Sequence, residues 1–364
     1  MEARPAKTVR IASSQPKSRL IDYRLKSPQE VLRRVDESLT ELESIVHKAG
    51  EARCDVVVFP EDTLGLGHWE AGNPQSMKDV LPEAERKMLD RLGRAAAAHR
   101  MYLICCNDTV DSAGAEHNSA FFLGRDGKEI GRYHKVNMPI HELNRKRGNS
   151  FPVFPTADLG GVGMLICYDM VFPEAARCLA LGGADIIFHS TLGGAAIGDG
   201  DISLAAFRTR AVENFVYVVV SQRGSGSMII SPRGQVLVQA NGTDSLAIAD
   251  IDPFAGREGG DAMNHQDDMR SRLFRERSPA AFQILTDPNP PALKKVPERT
   301  TVEDAVRISR GVLTEGEGRF NAASALERAG KTQEAIHAFE ALIADYPRSW
   351  IDRVSRERLS KLRK

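Results

Sequence analysis

Long apolar runs are missing from this chain. No stretch approaches the roughly 20 apolar residues that a bilayer-spanning helix needs, and residues 1–7 lack the apolar core of a secretory signal. A membrane partner is therefore not expected. Charge imbalance is missing as well. The 49 Lys and Arg residues equal the 49 Asp and Glu residues, which argues against nucleic acid as the main partner, since phosphate recognition needs a basic surface. Cysteine is scarce and unpatterned. Five are present (Cys54, Cys105, Cys106, Cys167 and Cys178), with no CxxC and no paired His/Cys spacing. An odd count without such spacing excludes a disulfide framework and suggests no metal site, and a reducing cytoplasm is the simplest compartment. What remains is ordinary: 42% hydrophobic and 27% charged residues describe a globular protein. Its 364 residues suit one large domain with a smaller one.

Three stretches stand out, each an apolar strand that ends in one ionisable residue. Residues 162–166 (VGMLI), with glycines around them, read as a buried strand. A helix follows at residues 173–181, with Pro173 at its first position and Gly182 as its stop. Cys167 lies where the strand ends, beside a helix N-terminus that would favour negative charge on sulfur. A buried structural cysteine is the commoner fate of a free thiol. Residues 55–61 (DVVVFPE) end in Glu61, and residues 132–139 (RYHKVNMP) carry Lys135. Taken singly, Glu61 reads as a surface carboxylate and Lys135 as a solvated lysine. Taken together, all three sit at the C-terminal ends of strands, where open α/β sheets place their sites.

The blocks VVVFPE, YHKVNMP and GMLICYDMVFPE, in that order, resemble the three signature blocks of the carbon–nitrogen hydrolase (nitrilase) superfamily. The resemblance covers roughly residues 7–288. It implies an α/β fold, a four-layer α-β-β-α sandwich commonly dimerised through helices near the site, and a cofactor-independent enzyme acting on a small amide or carbamoyl compound. It also implies the site. Cys167 would be the nucleophile, Glu61 the base that takes its proton, and Lys135 the cation that meets the oxyanion. Glu142, seven residues after Lys135, would orient substrate and bond the lysine. The chemistry agrees: amides resist water because the nucleophile is weak and the leaving nitrogen poor, and a thiolate with a proton donor remedies both. The backbone N–H of Tyr168 is a second oxyanion donor candidate. Asp169 and Glu174 are read as hydrogen-bonding the turn and the helix start. True nitrilases tend to carry Trp-Glu after the cysteine, whereas Tyr168-Asp169 resembles the amidase and carbamoylase branches. Acyl transfer to an amine, through the same thioester, and an inactive scaffold remain alternatives.

The rest of the chain supports a layered α/β plan. Residues 7–13 read as a first strand. Ser27-Pro28-Gln29-Glu30 opens a helix as a capping box, with Val31, Val35, Leu39, Leu42 and Val46 on one stripe. Residues 62–75, rich in glycine, read as a loop over the site, and residues 82–100 as a second helix. The glycines of residues 191–200 lack a phosphate-binding context and read as a site wall. Residues 256–277 are polar. Three units are expected: a catalytic domain over 1–288, a Pro-rich linker over 289–303 and a helical segment over 304–364. In the last, Ala335, Phe339 and Pro347 resemble the second helix of a tetratricopeptide repeat. One such repeat cannot bury its own face, so it should pack on the catalytic domain, on a sister subunit or on a protein partner.

Overall fold

The computed structural model describes residues 8–193, 200–254 and 269–363. Most of the glycine-rich segment at 191–200, and most of the polar one at 256–277, lies outside the described residues.

Twelve described strands form two six-stranded sheets. They are β1 (Val9–Gln15), β2 (Val56–Val58), β3 (Tyr102–Val110), β4 (Glu116–Leu123), β5 (Glu129–His134), β6 (Val153–Pro155), β7 (Gly161–Ile166), β8 (Ile186–Thr191), β9 (Tyr217–Gln222), β10 (Met228–Ile230), β11 (Val236–Gln239) and β12 (Ser245–Ile251). The first sheet runs β12-β1-β2-β3-β4-β5 and the second β11-β10-β9-β8-β7-β6. The central strands β1-β2-β3 and β7-β8-β9 are parallel, and the flanking pairs are antiparallel.

The strand period of two builds the layers. Ala12, Val57, Leu103 and Phe121 face outward onto helices α1 (Pro28–Glu51) and α3 (Met77–Ala98); the short helix α2 (Gly67–Gly72) lies between them in sequence. Their neighbours Ile11, Val56, Val58, Ile104 and Phe122 face inward. There they meet Val162, Met164, Ile166, Phe188 and Val219 of the second sheet. Leu165, Ile187 and Val218 face out again, onto α4 (Pro173–Leu181) and α5 (Gly200–Asn214). The result is a four-layer α-β-β-α sandwich. Strands buried on both faces read as continuous apolar runs, which is why VVV and VGMLI show no polar alternation.

Local signals behave as expected in most places. Ser27 caps α1, accepting from the Glu30 N–H, with Pro28 in the first turn. Two segments differ from their sequence reading. Residues 62–75 are not one loop: the Asp62 carboxylate accepts from the N–H groups of Leu66 and Gly67 at 2.7 and 3.2 Å and starts α2, with Trp69 buried beneath it. Gly65 enters that turn at φ +80°, where a Cβ would stand 1.6 Å from the Arg19 carbonyl oxygen. Helix α3 begins at Met77, five residues ahead of Pro82, which lies inside the helix.

Beyond α6 (Met269–Arg275) the chain runs through two 3-10 turns, Pro279–Thr286 and Pro291–Lys295. The C-terminal segment then comprises α7 (Val302–Gly311), a π-helical turn (Val312–Gly316), α8 (Glu317–Arg328), α9 (Thr332–Asp345) and α10 (Trp350–Leu362). Val312, Ala335, Phe339, Leu342, Ile351 and Leu359 form its own small core. The segment packs on the sandwich: α7 seats on the Ile140–Glu142 turn and on α2, and the π-turn also meets α2. Among the described residues no helix is long and apolar enough to cross a membrane.

Candidate active site

Three strand ends converge at one edge of the two sheets. Glu61 follows β2, Lys135 directly follows β5, and Cys167 directly follows β7. The first two come from one sheet and the cysteine from the other. The structure brings together every residue singled out in the sequence for the chemistry. Lys135 Nζ lies 3.1 Å from Glu61 Oε1 and 2.7 Å from Glu142 Oε2, and its side chain is fully buried. The Cys167 sulfur lies close enough to the Glu61 carboxylate and the Thr191 hydroxyl for both to shift its titration.

The charge states follow from the surroundings. Burial opposes ionisation of Glu61, but the Lys135 ammonium and the hydrogen bonds from Lys135 and Asn118 outweigh it, and the carboxyl titrates below its ordinary range. Burial likewise opposes charge on Lys135, yet Glu61, Cys167 and Glu142 hold it well above the usual lysine value. For Cys167, burial and the Glu61 carboxylate push the thiol up to about 12. This reverses the sequence-based expectation that the helix N-terminus would favour thiolate. Glu61 and Glu142 are full charges at close range, and they exceed the partial charge of a helix end. At rest, therefore, sulfur carries the proton and the carboxylate stands ready to receive it.

The backbone at Cys167 is unusual. Cys167 has φ +44°, a left-handed conformation that a cysteine adopts only under constraint. Its carbonyl oxygen lies 3.1 Å from His189 Nε2 of β8. Burial pushes that imidazole down to about 4, so at neutral pH it is uncharged and its Nε2–H donates to the carbonyl. Tyr168 takes the next position in the 3-10 turn Cys167–Val171. Asp169, fully buried, ties the turn down as expected from sequence. Its Oδ2 accepts from Tyr133 Oη at 2.6 Å and from the Ile166 N–H at 3.1 Å, and its Oδ1 from the Asn137 N–H at 2.8 Å. Glu174 lies exposed in the first turn of α4.

Sequence reasoning missed several supporting groups. Asn118, buried on β4, donates from Nδ2 to Glu61 Oε1 at 2.8 Å, and the Leu192 N–H donates to Glu61 Oε2 at 3.2 Å. The available signal was a polar stretch, Glu116 to Ser119, running straight into the apolar residues 120–123 of one strand. A second charged cluster lies beside the first. Arg145, three residues after Glu142, pairs with Asp108 on β3 and with Glu70 on α2, the latter at 3.3 Å. Burial, and then the neighbouring Asp108 charge, push Glu70 well above the ordinary carboxylate range. Both acids thus face one guanidinium, and burial and like charge disfavour ionisation of Glu70.

A cavity of about 620 Å³ opens beside these groups; Glu61 and Glu142 are in its lining, and Cys167 and Lys135 lie behind them. Its floor includes Glu61, Asn118 and Glu142, and its far wall comes from the C-terminal helices through Ile308, Leu313 and Trp350. That wall was not foreseen: the sequence pointed to the loops over residues 62–75 and 191–200.

The model of the family described as carbon-nitrogen hydrolase matches residues 10–258 of this chain, a span that contains all three strand ends. The chain belongs to the carbon-nitrogen hydrolase family. Similar proteins include the deaminated glutathione amidase of Synechocystis, 29% identical over 60% of this chain and 86% of that protein. A nitrilase of Pyrococcus abyssi is 31% identical over 61% of this chain and 86% of its own length. Among solved structures, a carbon-nitrogen hydrolase from Helicobacter pylori superposes with a TM-score of 0.61 at 19% identity, covering 78% of this chain and 99% of that one. At that identity the likeness speaks for the fold. As a carbon-nitrogen hydrolase the protein is an enzyme of a family whose mechanism depends on a cysteine, and its two sheets with flanking helices are the sandwich of that family.

Proposed function

We propose that this carbon-nitrogen hydrolase cleaves non-peptide C–N bonds of carboxamides or N-carbamoyl compounds through a thioester on Cys167, with Glu61, Lys135 and Cys167 as the catalytic triad. The observation that carries this reading is the ionised Glu61 carboxylate, hydrogen-bonded to Lys135 and to Asn118 and close enough to the Cys167 thiol to raise its pKa. Glu61 takes the thiol proton as sulfur attacks the carbonyl carbon. The developing oxyanion meets the Lys135 ammonium and the backbone N–H of Tyr168, a contribution of roughly 3–4 kcal/mol per donor. Collapse of the tetrahedral intermediate breaks the C–N bond, and Glu61 passes its proton to the departing nitrogen, which leaves as ammonia or an amine. Water then enters, gives its proton to Glu61 and attacks the thioester; sulfur departs and recovers the proton. Glu142, bonded to Lys135, holds the ammonium in place and faces the cavity.

The relatives are named as amidases and as a nitrilase, which agrees with an amide-type substrate. The Tyr168-Asp169 pair favours the amidase and carbamoylase side. A homodimer, a reducing cytoplasm suited to five free cysteines, and the division into residues 1–288, 289–303 and 304–364 complete the proposal. For the last unit, the packing of α8 on α9 with Ala335 and Phe339 buried between them supports a tetratricopeptide-like unit.

Ammonia release from a panel of amides and carbamoyl compounds tests the reading. Cys167→Ala should abolish release from every substrate while the unfolding transition persists. Substantial turnover in that variant would remove the thioester mechanism. Product analysis with an added amine separates hydrolysis from acyl transfer.

A further inference from the structure

The C-terminal helices do more than pack on the sandwich. Ala305, Ile308, Val312, Leu313 and Trp350 line the cavity opposite Glu61 and Asn118. Helix α7 rests on the Ile140–Glu142 turn, and that turn carries the carboxylate 2.7 Å from Lys135. The segment is also pinned to α2 by the π-turn, with His68 Nε2 3.8 Å from Glu317 Oε2. The wall it presents is mostly apolar. The charged groups of the opposite wall are largely satisfied among themselves: Glu61 and Glu142 with Lys135, Glu70 and Asp108 with Arg145, Asp62 with Arg223. A cavity of about 620 Å³ far exceeds an acetamide and lies in the range that encloses medium-sized ligands. Water in such a space against an apolar roof is displaced favourably by hydrocarbon.

We propose that the C-terminal helices form the roof of the substrate pocket and set specificity, selecting amides whose acyl chain is extended and apolar over the smallest amides. This rests on the function proposed above and adds its substrate class. Ile308 and Leu313 act as the gauge of chain length, while catalysis stays with the groups on the sandwich floor.

The test uses the full-length protein and the series acetamide, butanamide, hexanamide and octanamide, read by ammonia release. In the wild type, kcat/KM should rise at least tenfold from acetamide to hexanamide. Ile308→Ala and Leu313→Ala should move the optimum to the longer octanamide. Leu313→Trp should cut kcat/KM for hexanamide at least tenfold more than for acetamide. Arg353→Ala, exposed on α10, serves as a control that leaves the profile unchanged. Alkylation of Cys167 by 2-bromoacetamide and 2-bromooctanamide gives a second readout that needs no turnover, and the ratio of the two rates should shift in the same direction in each variant. Unfolding temperatures check that each variant is folded. Profiles and alkylation ratios that stay flat across all three roof variants overturn the proposal. So does a gain of more than tenfold from a terminal carboxylate on the chain that Arg310→Gln abolishes, since the roof would then select by charge. Ammonia release that persists in Cys167→Ala would instead strike the catalytic reading and is distinguishable from either.

Discussion

Asn118 Nδ2 stands 2.8 Å from Glu61 Oε1, the same oxygen that Lys135 Nζ approaches at 3.1 Å. One carboxylate oxygen thus receives a neutral and a charged donor, both buried, while Oε2 accepts from the Leu192 N–H. Three groups hold Glu61 by hydrogen bonds, and the Cys167 thiol beside them offers the proton that the proposed chemistry moves.

Replacing Asn118 by Leu should therefore weaken the base without removing it. A hydrogen bond to a charged group is worth about 1.5–3 kcal/mol, which corresponds to a loss of about 10- to 100-fold in kcat/KM. The Glu61 carboxyl is held below its ordinary range partly by this bond, so the acid limb of the pH–rate profile should move to higher pH. A profile that drops without shifting would show that Asn118 acts elsewhere.

Lys135→Met should damage stability and activity together. It leaves Glu61 and Glu142 facing each other in a buried site, and breaking a buried pair in this way costs about 3–5 kcal/mol. Denaturant unfolding reads the first effect. Adding Glu142→Gln should recover part of the stability but none of the turnover, because the oxyanion still lacks its cation.

Glu70 gives a pH prediction of the opposite sign to Glu61. A carboxyl whose folded pKa is raised contributes stability below its unfolded value, near 4.5, and that contribution is lost as pH rises through the folded pKa. Glu61, with a lowered folded pKa, contributes above the unfolded value and loses it as pH falls. Glu70→Gln keeps the neutral shape and removes the titration. Its unfolding temperature should exceed the wild type's on the alkaline side and match it near pH 4, with Arg145 still bonded to Asp108. Equal curves at all pH values would mean that Glu70 is ionised in the wild type.

His189 supports the strained backbone of the proposed nucleophile through the Cys167 carbonyl. His189→Ala should relax φ at Cys167 and slow thiol labelling there about tenfold, the scale of one net hydrogen bond of about 1–1.5 kcal/mol. Labelling of Cys54, Cys105, Cys106 and Cys178 should be unchanged. A drop at all five sites would point to general unfolding instead.

Much of this was legible in order of residues. The runs VVV and VGMLI announce doubly buried strands because hydrophobic pattern is local. Ser27-Pro28 announces a helix start for the same reason. Residues 62–75 were misread because their cap, Asp62, sits four residues ahead of the N–H groups it serves, in a turn made possible by Gly65. Helix α7 was not singled out in the sequence; of its residues only Ala305 is buried, and its apolar positions face the cavity and the Ile140–Glu142 turn.

By itself, the sequence determined which side chains end the three strands, since strand length and period are written residue by residue. Only the tertiary structure decided that two sheets bring Glu61, Lys135 and Cys167 within hydrogen-bonding reach, that Asn118 and His189 brace them, and that the C-terminal helices roof the cavity. Those relations join residues up to hundreds of positions apart. They arise from the packing of one sheet on the other and of α7 on the Glu142 turn, and no local pattern encodes that.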